Sequence, residues 1–122
     1  DRLRSRGLGD VYKRQILKES LMFIVNLTYI KPLDKVEKFL EKHIDFLNQY
    51  YTKGHFIASG RKNPRTGGII LMRAKNKETV QEIIMQDPFY QNEIAQYDII
   101  EFEVSKYCPE FETIISKSFD DK

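Results

Sequence analysis

The chain of 122 residues has a single cysteine, Cys108. No intrachain disulfide can form, which suits a reducing compartment, and a cytoplasmic location is expected. Cys108 and the two histidines, His43 and His55, lack the clustered spacing of a metal centre, so no metal site is expected. No apolar run approaches the roughly 20 residues of a membrane span, so a membrane partner is not expected. Internal repeats and low-complexity linkers are also missing. With only six Gly and four Pro, each one is a boundary signal worth reading.

Charge of one sign is scarce once its location is considered. The formal net charge is +2, but six Lys/Arg and only three Asp/Glu fall within residues 1–21. From Met22 onward 14 basic residues face 15 acidic ones, a net of −1. The basic balance therefore belongs to the first segment alone. That segment, "SRGLGDVYKRQ" at 5–15, has no apolar period and no secretory apolar core. Arg2, Arg4, Arg6, Lys13 and Arg14 would suit a nucleic-acid arm. Reverse-translated in one frame, however, Ser5 to Gln15 resembles the end of a transposon-based sequencing adapter. Lys18-Glu19 can be encoded AAG GAG, like a ribosome-binding site just before Met22. The expectation is that residues 1–21 are adapter-derived and untranslated-leader sequence, that 22–107 form the domain, and that 108–122 form a tail. Nucleic acid is then not an expected partner.

The remaining residues suffice for one domain with a modest core. "MFIVNLTYI" (22–30) alternates as a strand, Phe23, Val25, Leu27 and Tyr29 against Ile24, Asn26 and Thr28. Pro32 suits a first helical turn, Leu33, Val36, Leu40, Ile44 and Leu47 follow at helical spacing, and Gly54 is the stop. The spacing predicts a helix over 32–52. "FIASG" (56–60) and "GIILMR" (68–73) predict strands joined by the polar turn "RKNPRTG". Asn76 can cap a second helix carrying Val80, Ile83 and Ile84, ended by "DPFY" (87–90). "YDIIEFEV" (97–104) predicts the last strand, and a polar tail crossing the surface or reaching a neighbour follows Pro109. This is an α+β chain in β-α-β-β-α-β order: a ferredoxin-like sandwich, an antiparallel sheet with helices on one face. Ile24, Tyr97 and Ile99 are expected on the open face, where a half-apolar surface favours a homodimer.

His43 follows Val36 and Leu40 on the apolar stripe, so its imidazole leans inward. It reads either as a general base or acid near neutral pH, or as a hydrogen-bonded core histidine. Asp87 extends the Val80, Ile83 face, and equally suits the N-cap of a turn through Phe89 and Tyr90. Together they could form a His–carboxylate pair. In "SGRKNPRTGG" the glycines Gly60, Gly67 and Gly68 expose backbone N–H groups, and Arg61, Lys62 and Arg65 supply charge. The loop suits a carboxylate or phosphate, and equally suits a hairpin with no ligand, since its spacing is not that of a P-loop. Asn26, Thr28 and Tyr29 could line the same cavity. His55, beside Gly54, reads as an exposed turn residue. Ser59 has no base nearby in sequence, so nucleophilic catalysis is poorly supported.

The first strand, "EKHIDFL", "FIASGRKNPRTGGIIL" and "QDPFYQNEIAQYDIIEF" resemble the YciI-like, or YCII-related, family over residues 22–107. The resemblance implies a ferredoxin-like fold assembled through its sheets as a dimeric α/β barrel. It implies that His43 and Asp87, which match the family's helix histidine and pre-proline aspartate, form the active-site pair. One branch of the family contains dehydrochlorinase-type enzymes acting on chlorinated hydroxyquinols. Arg61 departs from the pattern, standing where many relatives have proline.

The resulting expectation is a small-molecule enzyme of lyase, isomerase or dehydrochlorinase-like type. His43 would move a proton, Asp87 would orient it, and Arg65, Ser59, Gly60 and Asn26 would bind a small anionic or oxygenated substrate. No nucleotide or metal signature asks for a cofactor, and none is expected. The alternative is a non-catalytic dimeric ligand-binding or accessory domain in which the pair is structural.

Overall fold

The computed structural model describes residues 21–119. The readings made on residues 1–20 and on the last three residues lie outside the described residues. Strand β1 (Leu21–Tyr29) leads into helix α1 (Leu33–Thr52), then strands β2 (Phe56–Arg61) and β3 (Gly67–Ala74). Helix α2 (Lys77–Ile84), the single turn α3 (Pro88–Gln91) and strand β4 (Ala95–Phe102) complete the sheet unit. A 3₁₀ turn (Pro109–Phe111) and a last short helix α4 (Glu112–Ile115) follow. The sheet order is β2-β3-β1-β4 with every pair antiparallel, the ferredoxin-like arrangement expected of the β-α-β-β-α-β order.

Local chemistry accounts for the boundaries. Pro32 stands at the N-cap of α1, one position earlier than a first-turn proline, and its carbonyl accepts from Lys35 and Val36. The helix stops where Gly54 adopts φ +89°, a conformation that L side chains avoid, and its N–H bonds back to Tyr51. The Asn76 side chain caps α2 by accepting from the Thr79 N–H at 2.8 Å.

The core lies between the sheet and the helices, built from Phe23, Val25, Leu27, Val36, Phe46, Ile70, Met72, Val80, Ile83 and Phe89. The buried stripe of α1 is Val36, His43, Phe46 and Tyr50, whereas Leu33 and Ile44 stay largely exposed at its flank. The open sheet face differs from the expectation in one respect. Register pairs Ile24 with Ile100 and Val25 with Ile99. Tyr97 and Ile99 therefore share the helix side with Val25 and Leu27 and pack against the core. The apolar groups on the open face include Ile24, Ile69, Leu71, Ile100 and Phe102, the last two among the exposed large hydrophobics, and Met22, which is buried.

The C-terminal segment is held by the domain itself. Ile115 is buried, and the Arg73 guanidinium donates to the carbonyls of Ile114 and Lys117. Lys117 lies just past the end of α4, and the Ile114 carbonyl also accepts from the Lys117 N–H at 3.3 Å. Burial pushes the Arg73 guanidinium below its usual range. The same segment overturns the reading of His55. His55 is buried, its Nδ1 lies 3.1 Å from the Arg73 carbonyl, and its ring stacks on Phe119 at 4.3 Å between centroids. A residue 64 positions away covers a turn that looks exposed in local sequence.

Candidate functional site

His43 sits in the third turn of α1, and Asp87 sits at the N-cap of α3, on opposite walls of one interior corner. His43 Nδ1 and Asp87 Oδ1 are 2.8 Å apart. Asp87 is fully buried, and the same Oδ1 accepts from the Phe89 N–H at 3.0 Å. The capping and pairing readings of Asp87 are thus both realised, by one oxygen. Its other oxygen, Oδ2, accepts from the Tyr97 hydroxyl at 2.5 Å. The Phe89 N–H and the Tyr97 hydroxyl both donate, so the corner is arranged around a carboxylate, to which His43 Nδ1–H can donate as well. Burial foremost, then the charge of Asp87 and the hydrogen bond to it, push the Tyr97 hydroxyl well above the ordinary tyrosine range.

The hydrogen bond from Nδ1–H to Asp87 fixes the tautomer of His43 and leaves Nε2 with its lone pair. The ring is also clamped by stacking on Phe89, 4.1 Å between centroids and 6° between planes. Orientation comes from three directions: the helix, the carboxylate and the aromatic face. His43 lines a cleft with about 170 Å³ of internal space. Leu27, Tyr29, Leu40, Ile44, Leu47, Ile70 and Phe89 give it apolar walls, and Ser59, Gly60, Arg61, Gly67 and Gly68 form its polar side. Among the described residues Nε2 has no protein partner.

The β2–β3 end that borders this cleft carries glycines, one of which is sterically required. A Cβ on Gly67 would lie 1.8 Å from the Leu27 carbonyl oxygen, so only glycine permits β1 and β3 to approach as they do there. Ser59 faces the helices opposite Ile70, and its hydroxyl is 2.7 Å from that of Tyr51.

The structure brings together His43, Asp87, Ser59 and Gly60 of the residues expected from sequence. It does not bring Asn26 or Arg65 to the cleft wall. Asn26 points to the open sheet face, opposite Asp98 and Ile69, because strand alternation places it with Ile24 and Thr28. Arg65 is turned to Glu37, Nη2 to Oε2 at 2.8 Å, and this partner raises the guanidinium further above its usual value. Tyr97 and the Phe89 stack are contributors that local sequence did not reveal. The parity of Tyr97 with Ile99 was the available signal, but only the register against β1 says which face that parity means. Among the described residues no three His, Cys, Asp or Glu side chains converge as a metal site, and no helix is long and apolar enough to cross a membrane.

Comparison with known proteins agrees with this architecture. The fold is shared with 5-chloro-2-hydroxyhydroquinone dehydrochlorinase from Burkholderia phenoliruptrix AC1100, solved with 2,5-dihydroxybenzoquinone, at a TM-score of 0.59 and 15% identity. That superposition covers 67% of this chain and 93% of the dehydrochlorinase. SnoaB, a cofactor-independent oxygenase from Streptomyces nogalater, aligns at a TM-score of 0.46 and 9% identity over 75% of this chain and 98% of its own. No curated protein matches the chain. The YCII-related domain model matches residues 22–103, the stretch that contains all four strands except the first residue of β1, both members of the buried pair and the whole cleft. The chain therefore belongs to the YCII-related family and has a ferredoxin-like fold.

Proposed function

We propose that the protein is a cofactor-free enzyme of lyase or isomerase type acting on a small oxygenated molecule, with His43 as its proton-transfer group. The observation that carries this reading is an imidazole held at Nδ1 by buried Asp87, on a residue that lines the cleft, with no protein partner at Nε2 among the described residues. An acceptor nitrogen fixed in this way can take a proton from a hydroxyl or an activated C–H. The electron pair left behind either returns to another atom of the substrate with the proton, which is isomerisation, or expels a neighbouring group as an anion, which is elimination. The carboxylate of Asp87 stabilises the imidazolium formed, and Tyr97 and the Phe89 N–H keep that carboxylate in place.

The size of the cleft supports a one-ring substrate. An engineered cavity of about 150 Å³ accommodates benzene, and this cleft offers about 170 Å³ with mostly aliphatic and aromatic walls. The shared fold with a dehydrochlorinase for a hydroxylated ring makes hydroxylated and chlorinated one-ring compounds the first substrates to test. The functional unit is proposed to be a homodimer formed through the open sheet face, where Ile100 and Phe102 are exposed.

The test is turnover of such a panel by the wild type and by His43→Ala. A fall of roughly 10²- to 10⁴-fold with the fold intact is expected for a general base or acid, and a fully active variant overturns the mechanism. A second reading has its own observation: Asp87 also caps Phe89, and Phe89 stacks on His43, which is what a purely structural polar pair in a ligand-binding domain would do. That reading predicts lost stability in His43→Ala with unchanged ligand affinity.

A further inference from the structure

The cleft beside His43 contains one cation whose charge no described residue answers. The β2–β3 hairpin carries three cations. Lys62 Nζ donates to Thr28 Oγ1 at 3.1 Å, and Arg65 is paired with Glu37. Arg61 remains. It is the last residue of β2, two beyond Ser59 and therefore on the same, helix-facing side of the strand. Its cross-strand neighbour is Gly68, which places no side chain between the guanidinium and the cleft. Arg61 lines that cleft and is exposed, and no side-chain hydrogen bond or ion pair engages it among the described residues.

The lining is therefore two-ended. Leu27, Leu40, Leu47 and Ile70 offer hydrocarbon contact, His43 Nε2 is an acceptor, and the Arg61 guanidinium is a fork of N–H donors on the polar side. A guanidinium fork matches the two coplanar oxygens of a carboxylate. We infer that Arg61 makes this site selective for small one-ring hydroxy-carboxylates, the carboxylate on Arg61 and the oxygenated ring carbon toward His43. The word substrate here rests on the enzyme reading above; the binding preference does not. Arg65, whose charge is already met by Glu37, is not the anion-binding residue of the cleft.

The probes are 4-hydroxybenzoate, its neutral isostere 4-hydroxybenzamide, and phenyl phosphate, titrated into the full chain. Binding is followed by the ring ¹⁵N signals of His43 and by calorimetry. The wild type should bind the benzoate about five- to tenfold more tightly than the amide, the lower end for a charge-assisted contact because Arg61 is exposed. The preference should weaken as salt is raised. Arg61→Gln should bring the ratio to about one, Arg61→Lys should keep part of it, and Arg65→Gln should leave it unchanged. A ratio that survives Arg61→Gln, a ratio lost in Arg65→Gln, tighter phenyl phosphate than benzoate, or no movement of the His43 signals at millimolar probe overturns the inference. By calorimetry His43→Ala should keep the carboxylate preference. A protein that shows the preference but turns over no hydroxylated ring retains the role of Arg61 and loses the enzyme reading, so the two failures are separable.

Discussion

Removing one hydroxyl, in Tyr97→Phe, probes the buried corner with little else disturbed. The ring of Tyr97 packs against the core and would still do so as phenylalanine. What is lost is the 2.5 Å hydrogen bond to Asp87 Oδ2, on a carboxylate that is fully buried. Oδ1 keeps both of its donors, so the cost is one charge-assisted bond and the desolvation of one orphaned oxygen, about 2 kcal/mol. For a domain near 100 residues that corresponds to about 10 °C in Tm. The pH dependence follows from the raised Tyr97 hydroxyl. A group whose pKa is higher folded than unfolded contributes stability that is complete below the unfolded value, near 10 for tyrosine, and is lost as pH rises beyond it. Wild type should therefore lose stability from about pH 10 upward more steeply than Tyr97→Phe, and the two should converge there. Urea denaturation followed by circular dichroism at pH 7 and at pH 10 to 11 reads both quantities. Protein concentration must be fixed, because association would shift the midpoint. A Tyr97→Phe protein within 0.5 kcal/mol of wild type at pH 7, or with a parallel alkaline limb, would refute the reasoning.

Three further outcomes follow from the same packing. Gly67→Ala should cost about 3 kcal/mol or prevent folding, since its Cβ meets the Leu27 carbonyl at 1.8 Å, as a urea midpoint or the soluble yield would show. Gly60→Ala, whose Cβ meets nothing within 4 Å, should lie within about 0.5 kcal/mol of wild type in the same assay, and a large loss there would mean the strand end is packed differently. Arg73→Met should free the carbonyls of Ile114 and Lys117 and loosen the last segment, read as faster hydrogen exchange over 112–118 with protection in β1 and β3 largely kept.

Much of this protein was legible from local pattern. The alternation of Phe23, Val25 and Leu27, the turn chemistry of Gly54 and Asn76, and the element order follow from side-chain period and backbone preference, which act over a few residues. His43 was legible as inward-leaning for the same reason, because a helix carries it round with Val36. Where the sequence left two roles open for Asp87, the fold shows one carboxyl oxygen filling both. Other features depend on contacts between distant segments. Both parities of β4 are half apolar, so only its register against β1 turned Tyr97 and Ile99 toward the helices and Ile100 away. Of the three cations in one loop, the sequence reading expected Arg65 to hold the substrate. Glu37 and Thr28, brought from α1 and β1, occupy Arg65 and Lys62 and leave Arg61 on the cleft. His55 sits in a turn that local rules expose, and Phe119 covers it from the far end of the chain. Periodicity and turn preference are local free energies, and the sequence by itself determined what they govern. Face choice, partner choice and burial are set by which segments meet, and those only the tertiary structure decided.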